Sequence, residues 1–134
     1  MKNSSPIQIE AIKEKQQVFF KEHKAQNVNI RIQSLKRLKL VLAQKEAAVF
    51  EALYQDLKKP IFESYTSEVL MVQKELDLHI KNLKEWAAPK RVSGSLINFP
   101  SQDYILSEPY GAVLLISPWN YPFQLAMIPF IGAI

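Results

Sequence analysis

The chain has 134 residues, about one domain's length, with 48% hydrophobic residues, 22% charged residues and a formal net charge of +4. This composition excludes a disordered protein, and the mixing of basic with acidic residues favours a solvated helix surface over a nucleic-acid site. The absence of cysteine excludes disulfides and any thiol nucleophile within this chain, and it fits a reducing, cytoplasmic location. No metal site is predicted, because His79 has no second His, Cys or close carboxylate pair at i+4, and the nearby Glu75 and Asp77 are expected to be solvated.

Residues 6–88 have the pattern of three helical stretches. The first begins at Pro6, which suits an initial helical turn, after the candidate caps Ser4 and Ser5. Its apolar stripe is loose and ends near Gln26. We therefore expect a helix with only one weakly apolar face.

Asn27 or Asn29 is expected to cap the second stretch, which should break near 43–45 and end before Pro60. The third stretch, over 62–86, has the most regular spacing of apolar residues, one every three or four positions. These residues are Phe62, Tyr65, Val69, Val72, Leu76, His79 or Ile80, Leu83 and Trp86. The spacing predicts helices with one buried face.

Residues 92–108 change to β-branched and aromatic clusters separated by turn residues. We expect strands near Leu96–Phe99 and Tyr104–Ser107, joined by a turn at 100–103. A two-stranded ribbon is only marginally stable alone, so this segment is predicted to be an antiparallel arm that packs on another surface.

From Pro109 to Ile134 the sequence contains no Asp, Glu, Lys or Arg. Gly111–Ile116 is a continuous apolar run, as expected of a strand covered on both faces in a parallel α/β sheet. After the loop 117–122, residues 123–134 have helical spacing, with Pro129 expected to disturb the middle of the helix. Strand, loop and helix would form half of a βαβ unit.

Three interpretations of this uncharged segment are open. A membrane span is disfavoured, because Pro118 and Pro122 interrupt the segment and no basic cluster flanks it. The physics alone favours a buried strand followed by a helix that Asn120 caps. A ligand site is the third interpretation, because loops at the carboxyl ends of parallel strands bind ligands, and the Asn120 amide there would suit an oxyanion donor.

The residues from Glu108 to Phe123, EPYGAVLLISPWNYPF, resemble the strand and PWNYP loop of NAD(P)-dependent aldehyde dehydrogenases. Upstream, LYQDLKKP at 53–60 and LKEWAAPKR at 83–91, with Glu63 and Glu68, are similar to the class-3-like branch that acts on fatty or aromatic aldehydes. The resemblance covers roughly residues 28–134, and the loop is its most specific part.

The resemblance implies an α/β fold in which N-terminal helices lead into the first strand, loop and helix of a Rossmann-like cofactor domain. Residues 1–91 would be the helical part of that domain, 92–108 a β-hairpin oligomerisation arm, and 109–134 the strand, loop and helix. It also implies a homodimer that oxidises an apolar aldehyde with NAD or NADP through a cysteine thiohemiacetal. That cysteine would lie outside this chain.

Carried over to the loop, the resemblance implies that Asn120 donates its amide to the substrate oxyanion. Ile116, Ser117, Pro118 and Trp119 would line the cofactor pocket, and Tyr121 would lie beside the substrate tunnel. The catalytic cysteine and glutamate of the family have no counterpart here, so we expect an N-terminal part that is inactive alone and exposes its Phe123–Ile134 face. The alternative is a non-catalytic helical interaction protein that keeps the architecture.

Overall fold

Helices form most of the secondary structure in the computed structural model, which describes residues 5–23, 26–94, 97 and 99–134. In chain order the elements are α1 Pro6–Lys21, α2 Val28–Leu57, α3 Ile61–Ser64, a π-helical turn Tyr65–Val69, α4 Leu70–Trp86, β1 Lys90–Val92, β2 Asp103–Ile105 and α5 Pro122–Ala133. None of the described helices combines the length and the apolar character needed to cross a membrane.

Two predicted helix caps are confirmed. Ser5 Oγ accepts a hydrogen bond from the Gln8 N–H, while the Gln8 side chain accepts one from the Ser5 N–H, which forms a capping box. Asn27 Oδ1 accepts hydrogen bonds from the N–H groups of Asn29 and Ile30. Both caps satisfy backbone donors that have no partner within the helix itself.

The first helix is shorter than its apolar stripe suggested. It ends at Lys21, whereas the pattern placed its end near Gln26. The backbone turns at His23, whose φ of 56° lies in the left-handed region and cannot continue a right-handed helix. The other candidate cap, Ser4, lies outside the described residues.

Helix α2 runs without interruption from residue 28 to residue 57, so the break expected at 43–45 is wrong. That segment contains alanine, glutamine and lysine, which favour helix, and no glycine or proline. The predicted end before Pro60 is confirmed, because α2 stops at Leu57 and Lys58 adopts a left-handed conformation with φ 54°. A left-handed residue directly after the last turn is a common helix ending.

The third predicted stretch is continuous from residue 61 to residue 86, but its second turn is π-helical. The Leu70 N–H donates to the Tyr65 carbonyl, one residue further back than in an α-helix. The extra residue changes which side chains face inward. Within this turn Glu68 is fully buried, and its neighbour Val69 is 5% exposed.

The core lies where α2, α4 and α5 pack together. Its buried members are Leu35, Val72, Leu76, Leu83 and Ile131. Residues of α5 that were expected to be exposed instead pack against this cluster, among them Phe123, Met127 and Ile128. The face is covered because α4 and α2 supply apolar side chains opposite it. The helix also continues through Pro129 to Ala133.

The β-hairpin is displaced from its predicted position. β1 and β2 pair antiparallel, with Arg91 opposite Tyr104 and Val92 opposite Asp103. β1 ends at Val92 and β2 begins at Asp103, so Ile97 and Phe99, the described residues of the predicted first strand, lie outside both strands. Residues 96 and 98 of that predicted strand lie outside the described part of the chain.

The strand expected at Gly111–Ile116 is not formed in the described part of the chain. The only sheet there is the two-stranded hairpin β1–β2. A parallel strand is stabilised by hydrogen bonds to neighbours on either side and by cover on both faces. No described strand pairs with 111–116, and Leu114 remains 83% exposed.

Candidate active-site loop

Residues 117–121 lead directly into α5, which starts at Pro122. The residue that precedes the helix is Tyr121, in a left-handed conformation with φ 48° and ψ 53°, and its side chain makes no capping hydrogen bond. The interpretation of Asn120 as the helix cap is therefore wrong. Because Asn120 lies one position before the cap, its amide does not serve the start of the helix.

A carboxylate from another helix caps α5 instead. Glu68 Oε2 accepts hydrogen bonds from the backbone N–H groups of Phe123 at 2.9 Å and Gln124 at 3.3 Å. The first helical residue, Pro122, has no N–H. One carboxylate oxygen therefore satisfies all the backbone donors of the first three helical positions.

The second oxygen of the same carboxylate binds a lysine. Lys59 Nζ lies 2.5 Å from Glu68 Oε1, and the side chains of the pair are only 9% and 0% exposed. The same ammonium lies 4.4 Å from the centroid of the Tyr121 ring, within the range of a cation–π interaction. Lys59 and Glu68 thus hold both the ring of the residue before α5 and the first amides of the helix.

The charges in this arrangement are complementary. A negative group is favoured at a helix N-terminus, where the aligned peptide dipoles leave partial positive charge. Burying an isolated carboxylate would be costly, but Glu68 gains a lysine and two backbone donors in return. We call the Lys59–Glu68 pair, with its contacts to Tyr121, Phe123 and Gln124, the loop anchor.

Sequence reasoning missed the loop anchor, although one signal was present. Glu68 falls within the regular apolar stripe of 62–86, directly beside Val69, where a solvated charge is out of place. Charged residues are almost never fully buried unless they are paired. The sequence does not identify its partner, because Lys58 and Lys59 both stand directly before Pro60.

The other predicted site residues lie along one exposed segment. Ile116 and Trp119 are 86% and 92% exposed, and Ser117, Pro118 and Asn120 are exposed as well. Their arrangement is therefore a continuous, accessible edge. The ring of Tyr121, which was predicted to lie beside a substrate tunnel, rests under Lys59.

A separate cavity of about 650 Å³ lies between α1, α2, the segment 111–115 and the end of α5. Its described apolar walls include Phe19, Phe20, Val113, Leu115 and Phe130. Residues 116–119 do not line it. Beside it, Arg31 Nε donates to the Ile134 carbonyl at 2.6 Å, and burial lowers the pKa of the Arg31 guanidinium because desolvation disfavours the charged form.

The structure combines packed helices, a short antiparallel hairpin and the PWNYP loop, which leads into α5. These features agree with the resemblance to aldehyde dehydrogenases. The model of the aldehyde dehydrogenase family matches residues 1–134, and the chain belongs to that family. The expected resemblance is confirmed.

Among curated relatives, 4,4'-diaponeurosporen-aldehyde dehydrogenase of Staphylococcus aureus (strain NCTC 8325 / PS 47) is 41% identical over 116 residues, 87% of this chain and 25% of the relative. The chloroplastic aldehyde dehydrogenase family 3 member I1 of Arabidopsis thaliana is 43% identical over 115 residues, 86% of this chain and 21% of the relative. The family 3 relatives agree with the expected class-3-like branch.

The fold is also similar to part of a solved structure. Staphylococcus aureus AldH in a substrate-bound state superposes with a TM-score of 0.90 at 39% sequence identity, over 93% of this chain and 27% of that chain. This likeness confirms the fold class as a partial aldehyde dehydrogenase fold. The chain spans about a quarter of the length of the relatives it matches.

Proposed function

We propose that this chain supplies the oxyanion donor and part of the cofactor surface of an aldehyde dehydrogenase. The intact protein would oxidise an apolar aliphatic or aromatic aldehyde to a carboxylic acid with NAD or NADP, through a cysteine outside these residues. The observation that carries the proposal is the family match over residues 1–134, which includes the PWNYP loop.

The proposed role of Asn120 follows from its position and its chemistry. Its amide is exposed, is not used to cap α5, and lies one residue before the anchored Tyr121. A side-chain amide is a neutral hydrogen-bond donor, suited to an oxygen that gains negative charge as a nucleophile attacks an aldehyde. One such preorganised donor contributes roughly 3–4 kcal/mol to the transition state.

The residues proposed to contact the cofactor suit its rings but not its pyrophosphate. Ile116 and Trp119 present exposed apolar surface that suits the heteroaromatic rings of a dinucleotide. The segment 109–134 contains no charged residue that would hold the pyrophosphate. We therefore assign Ile116, Ser117, Pro118 and Trp119 to ring and backbone contacts alone. When bound, the nicotinamide supplies the hydride acceptor of the reaction.

The test is replacement of Asn120 in the intact protein. Asn120→Ala and the isosteric Asn120→Asp, which cannot donate, should each lower kcat for an aliphatic aldehyde by about a hundredfold to a thousandfold. The dissociation constant for NAD or NADP should change little. Asn29→Ala, at an exposed position of α2, is the matched control and should leave kcat unchanged. A decrease of less than about threefold for Asn120→Ala would contradict the oxyanion role.

The hairpin β1–β2 is proposed to serve as the dimerisation arm of the intact protein. Both strands are short and largely exposed, which leaves backbone donors and acceptors for a partner surface. Replacing Tyr104, which is 49% exposed on β2, with Asp should shift the intact protein from dimer to monomer in sedimentation.

A folded intact protein that forms dimers yet oxidises no aldehyde would instead favour the alternative function, a non-catalytic interaction protein.

A further inference from the structure

The loop that carries Asn120 is held at one end only. On its amino-terminal side, Ile116 and Trp119 are almost fully exposed. On its carboxyl-terminal side, Tyr121 is followed by two amides bound to a fully buried carboxylate. The nearest fixed point to Asn120 is therefore the loop anchor.

We infer that Lys59 and Glu68 are positioning residues for Asn120, an inference that rests on the proposed function. Glu68 fixes the start of α5 by binding the amides of Phe123 and Gln124, and Lys59 fixes the ring of Tyr121. Neither residue needs to touch a substrate. Their effect on the reaction passes through the backbone of Tyr121 to the amide of Asn120.

The backbone of Tyr121 needs such support. A tyrosine with φ 48° occupies the left-handed region, which costs energy for any residue with a Cβ and persists only when its surroundings hold it. The surroundings that hold it here are the Lys59 ammonium over its ring and the capped helix that follows. Because a misplacement of about 1 Å can lower a rate roughly a hundredfold, a small relaxation of this residue is enough to reduce catalysis.

The geometry of the pair also explains why both charges are needed. One carboxylate oxygen faces two N–H donors and the other faces an ammonium, so both oxygens must accept. Glu68→Gln supplies only one accepting oxygen, and its NH2 group must then face either Lys59 or the helix amides. The substitution keeps the size of the side chain but leaves donors opposed to donors.

The experiment is a double-mutant cycle between Glu68→Gln and Asn120→Ala in the intact enzyme, with kcat expressed per titrated active site. Glu68→Gln alone should lower kcat by about tenfold or more, because it loosens the donor. In the Asn120→Ala background it should lower kcat by less than about twofold, since no donor remains to be positioned. The matched control Glu63→Gln, at an exposed position one turn earlier, should leave kcat unchanged in either background.

A second pair of variants tests the same inference through the cation. Lys59→Met should reproduce the loss and its dependence on Asn120, whereas Lys59→Arg keeps the charge and should restore most of kcat. If Glu68→Gln does not fold, the Lys59 variants alone test whether the pair positions Asn120.

Two results would overturn the inference while leaving the proposed function standing. In one, Glu68→Gln and Lys59→Met lower kcat equally in the two Asn120 backgrounds, which means that they act independently of the donor. In the other, they lower thermal stability but leave kcat per active site unchanged. If Asn120→Ala itself has little effect on the wild-type enzyme, the proposed oxyanion role fails and the positioning role fails with it.

Discussion

Removing Lys59 should reveal how strongly the buried carboxylate depends on its partner. Lys59→Met keeps a long, flexible side chain but deletes the ammonium that lies 2.5 Å from Glu68 Oε1. The carboxylate retains its two backbone donors but has no counter-ion at a position with no exposure to solvent. The cation–π contact with Tyr121 is lost as well.

The expected loss follows from these contacts. Leaving one member of a buried ion pair unpaired costs about 3–5 kcal/mol of unfolding free energy. The two backbone donors moderate that cost, so we expect about 3 kcal/mol for Lys59→Met. Adding Glu68→Gln removes the uncompensated charge while keeping one acceptor for the helix amides. The double variant should therefore be more stable than Lys59→Met alone, by about 1–2 kcal/mol.

Urea unfolding of the intact protein would measure these differences as shifts in unfolding free energy. The matched control is Lys58→Met, which changes the adjacent, exposed lysine and removes a cation–π contact with Tyr54 at 5.2 Å. An exposed contact of this kind should contribute less than about 1 kcal/mol. The reasoning would be refuted if the double variant were less stable than Lys59→Met, or if the two lysine variants lost the same free energy.

Three further changes test the helical scaffold by urea unfolding. Leu76→Ala, at a fully buried core position, should lower the free energy of unfolding by about 2–5 kcal/mol. Leu78→Ala, at a position that is 47% exposed, should lower it by much less, and equal losses would place the core elsewhere. Asn27→Ala should cost about 0.5–2 kcal/mol, because it leaves two amides at the start of α2 without their cap. Lys58→Gly should be more stable than Lys58→Ala by roughly 0.5–1 kcal/mol, because both variants lack the contact with Tyr54 and only glycine accepts the left-handed φ of 54° without strain; a less stable glycine variant would contradict that explanation.

Local chemistry made several helix ends predictable. Ser5 and Asn27 are side chains that accept from backbone amides, and Pro60 excludes the preceding residue from a helix, so each sets a boundary within a few residues of itself. The break expected within α2 had no such cause, since no residue at 43–45 opposes a helix. Helix boundaries can be located from sequence where a local residue of this kind sets them.

The site was predictable only in part for a related reason. The loop containing Asn120 was found because its residues are contiguous in sequence. The loop anchor joins residues 59, 68 and 123–124, which the fold brings together from a connection and two helical segments. Glu68 lies in a π-helical turn, and no local pattern in the sequence specified that turn.

The contrast between the two sides of the Asn120 loop has a single physical cause. The start of α5 needs an acceptor for two backbone N–H groups, and the buried carboxylate that accepts them needs a counter-ion. Both come from side chains within residues 59–68. What the apolar run 111–116 needs is a neighbouring strand and cover on both faces, and no described element provides them. The anchored end of the loop can therefore form independently of sheet pairing. Since Asn120 lies one residue from that end, the positioning inferred above requires only contacts among the helices and no strand pairing.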